Sequence, residues 1–269
     1  MHTARFIGLA LVMTAIACRE EAKPTTVPAP ALSAPPIGSS ALPTAPPIVE
    51  PAEVVVSASA ISVRGVDVMD LPVDGSHGAD AKYKRSGPND LYLVPLAEAY
   101  PGLDAGRTAR TIGIDFDDST PYRVVIEVLV TLGQRDFEHW EIRRRGHAEM
   151  LTITPPRFST QSTGIAQPGL SLSLLLVDGG MALKTAGGNV APGCKGGGAG
   201  IAVPKRDNEP DYVALASCLH ALKVLNQREH TMTLSASPAI PFSEVWVALA
   251  VAIGDKHDLF PDVQFAISR

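Results

Sequence analysis

Aromatic side chains make up only 5% of this 269-residue chain, too few for a surface that stacks sugars or bases. Neither sign of charge dominates: 23 basic and 28 acidic residues leave a net charge of −5. Nothing in that balance points to nucleic acid or to a basic membrane-surface patch. No apolar run reaches the roughly 20 residues of a membrane-spanning helix. The seven histidines show no i,i+4 pairing, so no helix presents metal ligands in that pattern. Neither a metal nor a cofactor is expected.

Proline is plentiful, and it clusters. Residues 23–51, KPTTVPAPALSAPPIGSSALPTAPPIVEP, hold Pro, Ala, Ser and Thr without an apolar period. Such a segment buries no core and favours extended polyproline conformations. At about 3.1 Å per residue it spans up to roughly 90 Å. Ahead of it, MHTARFIGLALVMTAIAC places His2 and Arg5 before an apolar run from Phe6 to Ala17, the build of a signal-peptide core. Ala15-Ile16-Ala17 followed by Cys18 resembles the bacterial lipoprotein cleavage box, with Ala15 where leucine is usual. The resemblance implies lipidation at Cys18 and a membrane anchor. Arg19 replaces the aspartate of inner-membrane retention, which favours the outer membrane, on its periplasmic face. The expected organisation is a signal peptide over 1–17, a tether over 18–52 and an ordered region beyond.

The ordered region matches itself. Thr111-Ile112-Gly113-Ile114 faces Thr231-Met232-Thr233-Leu234, and Pro121-Tyr122 faces Pro241-Phe242. Val125, Val128, Leu129 and Leu132 face Val245, Ala248, Leu249 and Ala252 at the same separation of 120 residues. Upstream, Val94, Leu96, Ala97 and Ala99 face Val213, Leu215, Ala216 and Cys218. Downstream, Phe137 and Trp140 face Phe260 and Val263, and Val63-Arg64-Gly65 resembles Val177-Asp178-Gly179. Blocks in one order predict a duplication, with repeats over 53–155 and 156–269.

Each repeat reads as strand, tight turn, strand, helix, strand, helix, strand. In the first, Val54 to Val63 is one β-rich run, Gly65 permits a turn and Val66 to Leu71 returns. Leu91 to Tyr100 reads as a helix stopped by Pro101 and Gly102, and Arg110 to Phe116 as a strand. TPYRVVIEVLVTLG, Thr120 to Gly133, has Thr120 as N-cap and Pro121 at the first helical position. Val124, Val125, Val128, Leu129 and Leu132 share one face, and Gly133 offers a left-handed C-cap. Phe137 to Arg144 closes the sheet. The fold class expected is α+β, two tandem repeats, each with two helices on one face of a small mixed or antiparallel sheet.

Asp117, Pro121 and Tyr122 after a strand, an apolar helix ending in glycine, and an aromatic-led strand together resemble the periplasmic domain of the ExbD/TolR family. DLYLVPLAEAY, Asp90 to Tyr100, is similar to that domain's first helix region. The resemblance covers about Val54 to Arg145 and, more faintly, Gly169 to Ser268. Family members belong to ion-driven envelope motors, pair with ExbB/TolQ-type channels and contact peptidoglycan. Their proton-carrying transmembrane helix has no counterpart here, because Phe6 to Ala17 is too short and holds no acid. Ser237 also stands where the first repeat has Asp117. The resemblance therefore implies a binding or scaffolding lipoprotein in an ExbB/ExbD- or TolQ/TolR-like biopolymer-transport system, not an enzyme. The alternative is a peptidoglycan-binding tether independent of any motor. A tandem pair would also imitate the family's dimer within one chain.

Few polar constellations carry chemistry. Cys194 and Cys218 remain after Cys18, and in an exported protein they are expected to form a disulfide, worth about 3 kcal/mol. It would tie the APGCKGGGAG insertion to the second repeat's first helix. Gly188 and Gly193 have phosphate-loop spacing, but Cys194 stands where lysine is needed. DGSHG, Asp74 to Gly78, lacks the first glycine of a nucleophile elbow. Asp115, Asp117 and Ser119 start like a calcium loop, yet Thr120 and Ile126 occupy its glycine and glutamate positions. Asp117 and Asp118 are expected instead to favour the positive end of the following helix. Partner contact is expected near Asp117, Tyr122 and Arg123. Arg143, Arg144 and Arg145 read as a solvated strand end, or as a contact for phosphate or peptidoglycan carboxylates.

Overall fold

The computed structural model describes residues 52–100, 111–135, 137, 139–153, 170–194 and 196–266. The expected signal peptide, Cys18 and all of the tether but residue 52 lie outside these residues, as do Pro101 and Gly102. The architecture is mixed α+β, with two six-stranded mixed sheets and, among the described residues, four α-helices. None of the described helices is long and apolar enough to cross a membrane.

The first sheet contains β1 (Val54–Val56), β2 (Ala60–Val63), β3 (Val66–Asp70), β4 (Thr111–Phe116), β5 (His139–Arg144) and β6 (Met150–Ile153). Its order is β3-β2-β1-β4-β5-β6. β1, β4 and β5 run parallel, and the outer pairings are antiparallel. Helix α1 (Val94–Ala99) leads into β4, and α2 (Tyr122–Gly133) joins β4 to β5.

The second sheet contains β7 (Leu172–Val177), β8 (Gly180–Thr185), β9 (Gly188–Asn189), β10 (Val203–Pro204), β11 (Thr231–Ala236) and β12 (Asp262–Phe265). Its order is β10-β8-β7-β11-β12, with β9 also on β8. Helix α3 (Tyr212–Leu225) leads into β11, and α4 (Phe242–Ile253) joins β11 to β12. β7, β11 and β12 run parallel, and β8 is antiparallel to β7.

The strand run β2-β1-β4-β5 therefore has the order and sense of β8-β7-β11-β12. Register agrees as well. Val56 stands opposite Phe116, and Leu176 opposite Ala236. Ile112 stands opposite Trp140, and Met232 opposite Val263. Alternate side chains of each central strand point inward, so Ile112, Ile114 and Phe116, like Met232, Leu234 and Ala236, are fully buried. The buried apolar residues of both sheets join in one cluster.

Several expectations are corrected. The run from Val54 to Val63 is two strands, folded back at Ser57. The Ser57 hydroxyl accepts from Ala60 N–H and donates to Ala60 O, both at 2.9 Å, a serine turn with no glycine or proline to mark it. The β7–β8 turn thus corresponds to this one, and the matching of Val63-Arg64-Gly65 with Val177-Asp178-Gly179 fails. Gly65 does turn β2 into β3, with Arg64 and Gly65 at φ 51° and 81°. The first half of the molecule has three strands before α1 and a further strand, β6, after β5. The helix expected from Leu91 starts only at Val94, since Leu93 is extended and Pro95 follows. Gly133 is the last residue of α2 and takes no left-handed cap; Gln134 N–H closes the last turn on Thr131 and Leu132 carbonyls. The left-handed glycine is Gly254, after α4, at φ 80°.

Candidate functional site

The first N–H groups of a helix have no partner within it, and a threonine at the N-cap normally takes one. Thr120 does not. Pro121 occupies the cap position, no side chain caps α2, and the buried Thr120 hydroxyl finds no partner among the described residues. The other half of the molecule supplies the acceptors. Tyr122 N–H donates to Ile240 O at 2.8 Å, and Arg123 N–H to Pro238 O at 3.0 Å. In return, Phe242 N–H donates to Thr120 O at 2.8 Å, and Ser243 N–H to Asp118 O at 3.1 Å. Pro121 and Pro241 form an antiparallel bridge between them. Both prolines hold the extended backbone that presents these groups, at φ −64° and −70°. Each of the two longer-linked helices is thus capped by the segment that precedes the other.

Side chains reinforce the junction with different chemistry on each side. Phe242 packs on Phe116, ring centroids 4.7 Å apart. The reciprocal Tyr122 sends its hydroxyl to Ala266 O at 2.7 Å and to Leu234 O at 3.2 Å. Burial pushes the Tyr122 hydroxyl's pKa well above its ordinary value, so it stays a donor.

Of the residues expected to meet a partner, Tyr122 is buried in this junction. Asp117 turns inward on its own segment: its carboxylate accepts from Ser119 N–H at 3.0 Å and from the Ser119 hydroxyl at 2.6 Å. Asp118 binds Arg144 through Nε at 2.7 Å and through a second contact from Nη2. Arg144 beside it holds the Asp118 carboxyl below the usual carboxylate range. Neither carboxylate therefore sits on the α2 start, contrary to expectation. Arg143 is buried and ion-paired to Asp115 at 2.7 Å. Only Arg145 of the three consecutive arginines is exposed, so the three do not form one solvated patch.

Arg123 leads to a cluster that the sequence reading missed. Glu127 lies in the middle of α2 with no exposure. Its Oε1 accepts from Lys84 Nζ at 2.7 Å and from Arg123 Nε at 2.8 Å, and its Oε2 from Ala79 N–H at 2.7 Å. Lys84, itself buried, also donates to Pro88 O at 2.9 Å. One turn on, Thr131 Oγ1 accepts from Leu93 N–H at 2.9 Å. The segment from Asp74 to Leu93 is thereby strapped over the outer side of α2. Gly78, at φ 86°, passes so close that a Cβ would stand 2.2 Å from Glu127 Oε1. The equivalent positions on α4 are Val247 and Val251, and among the described residues the strap belongs to the first half alone. No helix-face signal marked it: Arg123, Glu127 and Thr131 fall four residues apart on one face, which reads as the solvent side of α2.

Cys194 and Cys218 are joined as a disulfide, their Cα atoms 5.4 Å apart. It fixes the glycine-rich insertion to α3, as expected. Asp74 caps a short helical turn through Ser76 N–H at 3.0 Å, in keeping with a polar loop. Among the described residues no group of three or more His, Cys, Asp or Glu side chains is placed to hold a metal ion. Compared with family models, with curated proteins and with solved structures, the chain has no match.

Proposed function

We propose that this protein is a lipid-anchored envelope scaffold built from two ExbD/TolR-like periplasmic modules. It serves an ExbB/ExbD- or TolQ/TolR-like transport system by binding rather than by catalysis. The observation that carries the reading is the reciprocal capping of α2 and α4. Two halves of the same strand order meet through paired backbone hydrogen bonds around Pro121 and Pro241. That is the arrangement expected of a dimer condensed into one chain, with each module's helix start used for the other. Tyr122 and Arg123 at the first helix start are spent on this junction and on the Glu127 strap, which favours a rigid body for display over a reactive centre. Cys18 anchors the body and the proline-rich tether holds it away from the membrane.

The test is a crosslinking pull-down of the mature protein from its own cell envelope, identifying bound proteins and bound wall fragments together. Recovery of an ExbB/TolQ-like channel or its ExbD/TolR-like partner is the expected result. Recovery of peptidoglycan alone would replace this reading with that of a passive wall tether.

A further inference from the structure

The two sheets differ at one edge. On the outer side of β5, β6 pairs antiparallel, with Ile153 opposite Trp140 and Leu151 opposite Ile142. By register, Val263 and Phe265 of β12 are the counterparts of Trp140 and Ile142. Among the described residues, nothing pairs on the outer side of β12, which ends the second sheet. Asp262 and Ala266 N–H donate inward, to His230 O and Leu234 O. Residues in a parallel strand alternate in the direction of their backbone groups. The N–H and C=O of Val263 and Phe265 therefore turn outward, the same groups that hold β6 on β5. Their side chains are already buried, so an added strand here would extend a finished core.

We infer that the outer edge of β12 is a docking site for an extended segment of a partner protein, added antiparallel as β6 is added to β5. The segment carries apolar residues at the two alternate positions opposite Val263 and Phe265, as β6 does with Ile153 and Leu151. Val263 is much smaller than Trp140, so the residue facing it can be aromatic. On the opposite face Asp262 and Gln264 are exposed, and a basic residue beside Asp262 complements them. Main-chain hydrogen bonds supply the affinity and the alternate side chains the selectivity. A second copy of this chain fits less well. Two four-residue strands paired edge to edge fall far short of the ~1,000 Å² of buried surface that a stable interface needs. The inference stands on the sheet geometry and not on the family reading.

The test uses the strand that the protein itself places on β5. A peptide of residues 147–156, HAEMLTITPP, and a variant with Phe at the Ile153 position are added to the intact chain. Amide hydrogen exchange is then read residue by residue. The expected result is roughly tenfold slower exchange at Val263 and Phe265, and none when the peptide's Leu151 and Ile153 amides are N-methylated. Exchange at those two amides unchanged by either peptide would overturn the inference. So would peptide-free protection there: if it rises with protein concentration the edge belongs to a second copy, and if it does not the edge is already covered by this chain. A failed pull-down of motor proteins would leave this result untouched.

Discussion

The Tyr122 hydroxyl donates to the Ala266 carbonyl across 144 residues of sequence, tying the start of α2 to the end of β12. It is the side-chain counterpart of the backbone exchange around Pro121 and Pro241, and it exists on one side only because Phe242 carries no hydroxyl. Tyr122→Phe keeps the ring and removes the donor, leaving the part-buried Ala266 carbonyl short of a partner. The expected loss is about 1–2 kcal/mol, read as a lower denaturant midpoint with an unchanged slope. An unchanged midpoint would show that the junction does not draw on this bond.

Glu127 faces two cations and an amide with no solvent exposure of its own. Glu127→Ala leaves Lys84 charged and buried, which costs about 3–5 kcal/mol when one partner of a buried pair is lost. Replacing both, Glu127→Val with Lys84→Met, imitates the apolar α4 side, where Val247 stands. That double variant should recover most of the loss, since an apolar replacement of a buried pair is often neutral. Thermal unfolding of the three proteins checks it. A double variant as unstable as the single one would mean the strap needs the charges themselves. Gly78→Ala should also destabilise, and more than Gly65→Ala, where an added Cβ meets nothing within 4 Å.

The elements that a sequence shows best are those whose partners are local. The α2 helix, β4 and the aromatic-led β5 were legible because apolar spacing alone determines which side of each is buried. The separation of 120 residues relates Ile114 to Leu234 and Tyr122 to Phe242, and the register carries it back to Val54 and Leu174. The Ser57 turn was hidden because its bonds come from one hydroxyl inside a β-branched run. Thr120 reads as an N-cap in isolation, but the acceptors for α2 arrive from Pro238 and Ile240. Tyr122 reads as a partner-contact residue in the sequence, but it is buried against the other half of its own chain. Glu127 was invisible to a helix-face argument because the strap that covers it is polar and irregular.

The disulfide joins Cys194 and Cys218 across a sequence separation of 24. The loop it closes carries β10 and most of the glycine-rich insertion, which has little core of its own. Cys194→Ser with Cys218→Ser should lower stability by about 3 kcal/mol. Reductant should produce the same shift in the parent protein and none in the double variant. Exchange should quicken first in residues 188–204 and leave Ile112 and Ile114 unaffected. A uniform loss of protection across both sheets would instead tie the insertion to the global fold.

Acid should loosen the junction through Asp118. The hydrogen bonds and charge of Arg144 lower its carboxyl pKa, and His147 Nε2 stands 4.0 Å away. A carboxyl whose folded-state pKa is depressed stabilises the fold above its ordinary range near 3.9, and that contribution disappears as pH falls through the lowered value. The pair is partly exposed, with Asp118 44% accessible, so water screens it and its worth at neutral pH is below about 1 kcal/mol. Asp118→Asn removes the ionisation while leaving the backbone carbonyl that accepts Ser243 N–H. The parent and the variant should differ at pH 7 and converge as the pH is lowered below about 4. High salt should narrow the gap at pH 7 as well. A difference that stays constant from pH 7 to pH 3 would mean that the Asp118 side chain acts through shape, and that its charge contributes nothing to holding β5 beside the helix start.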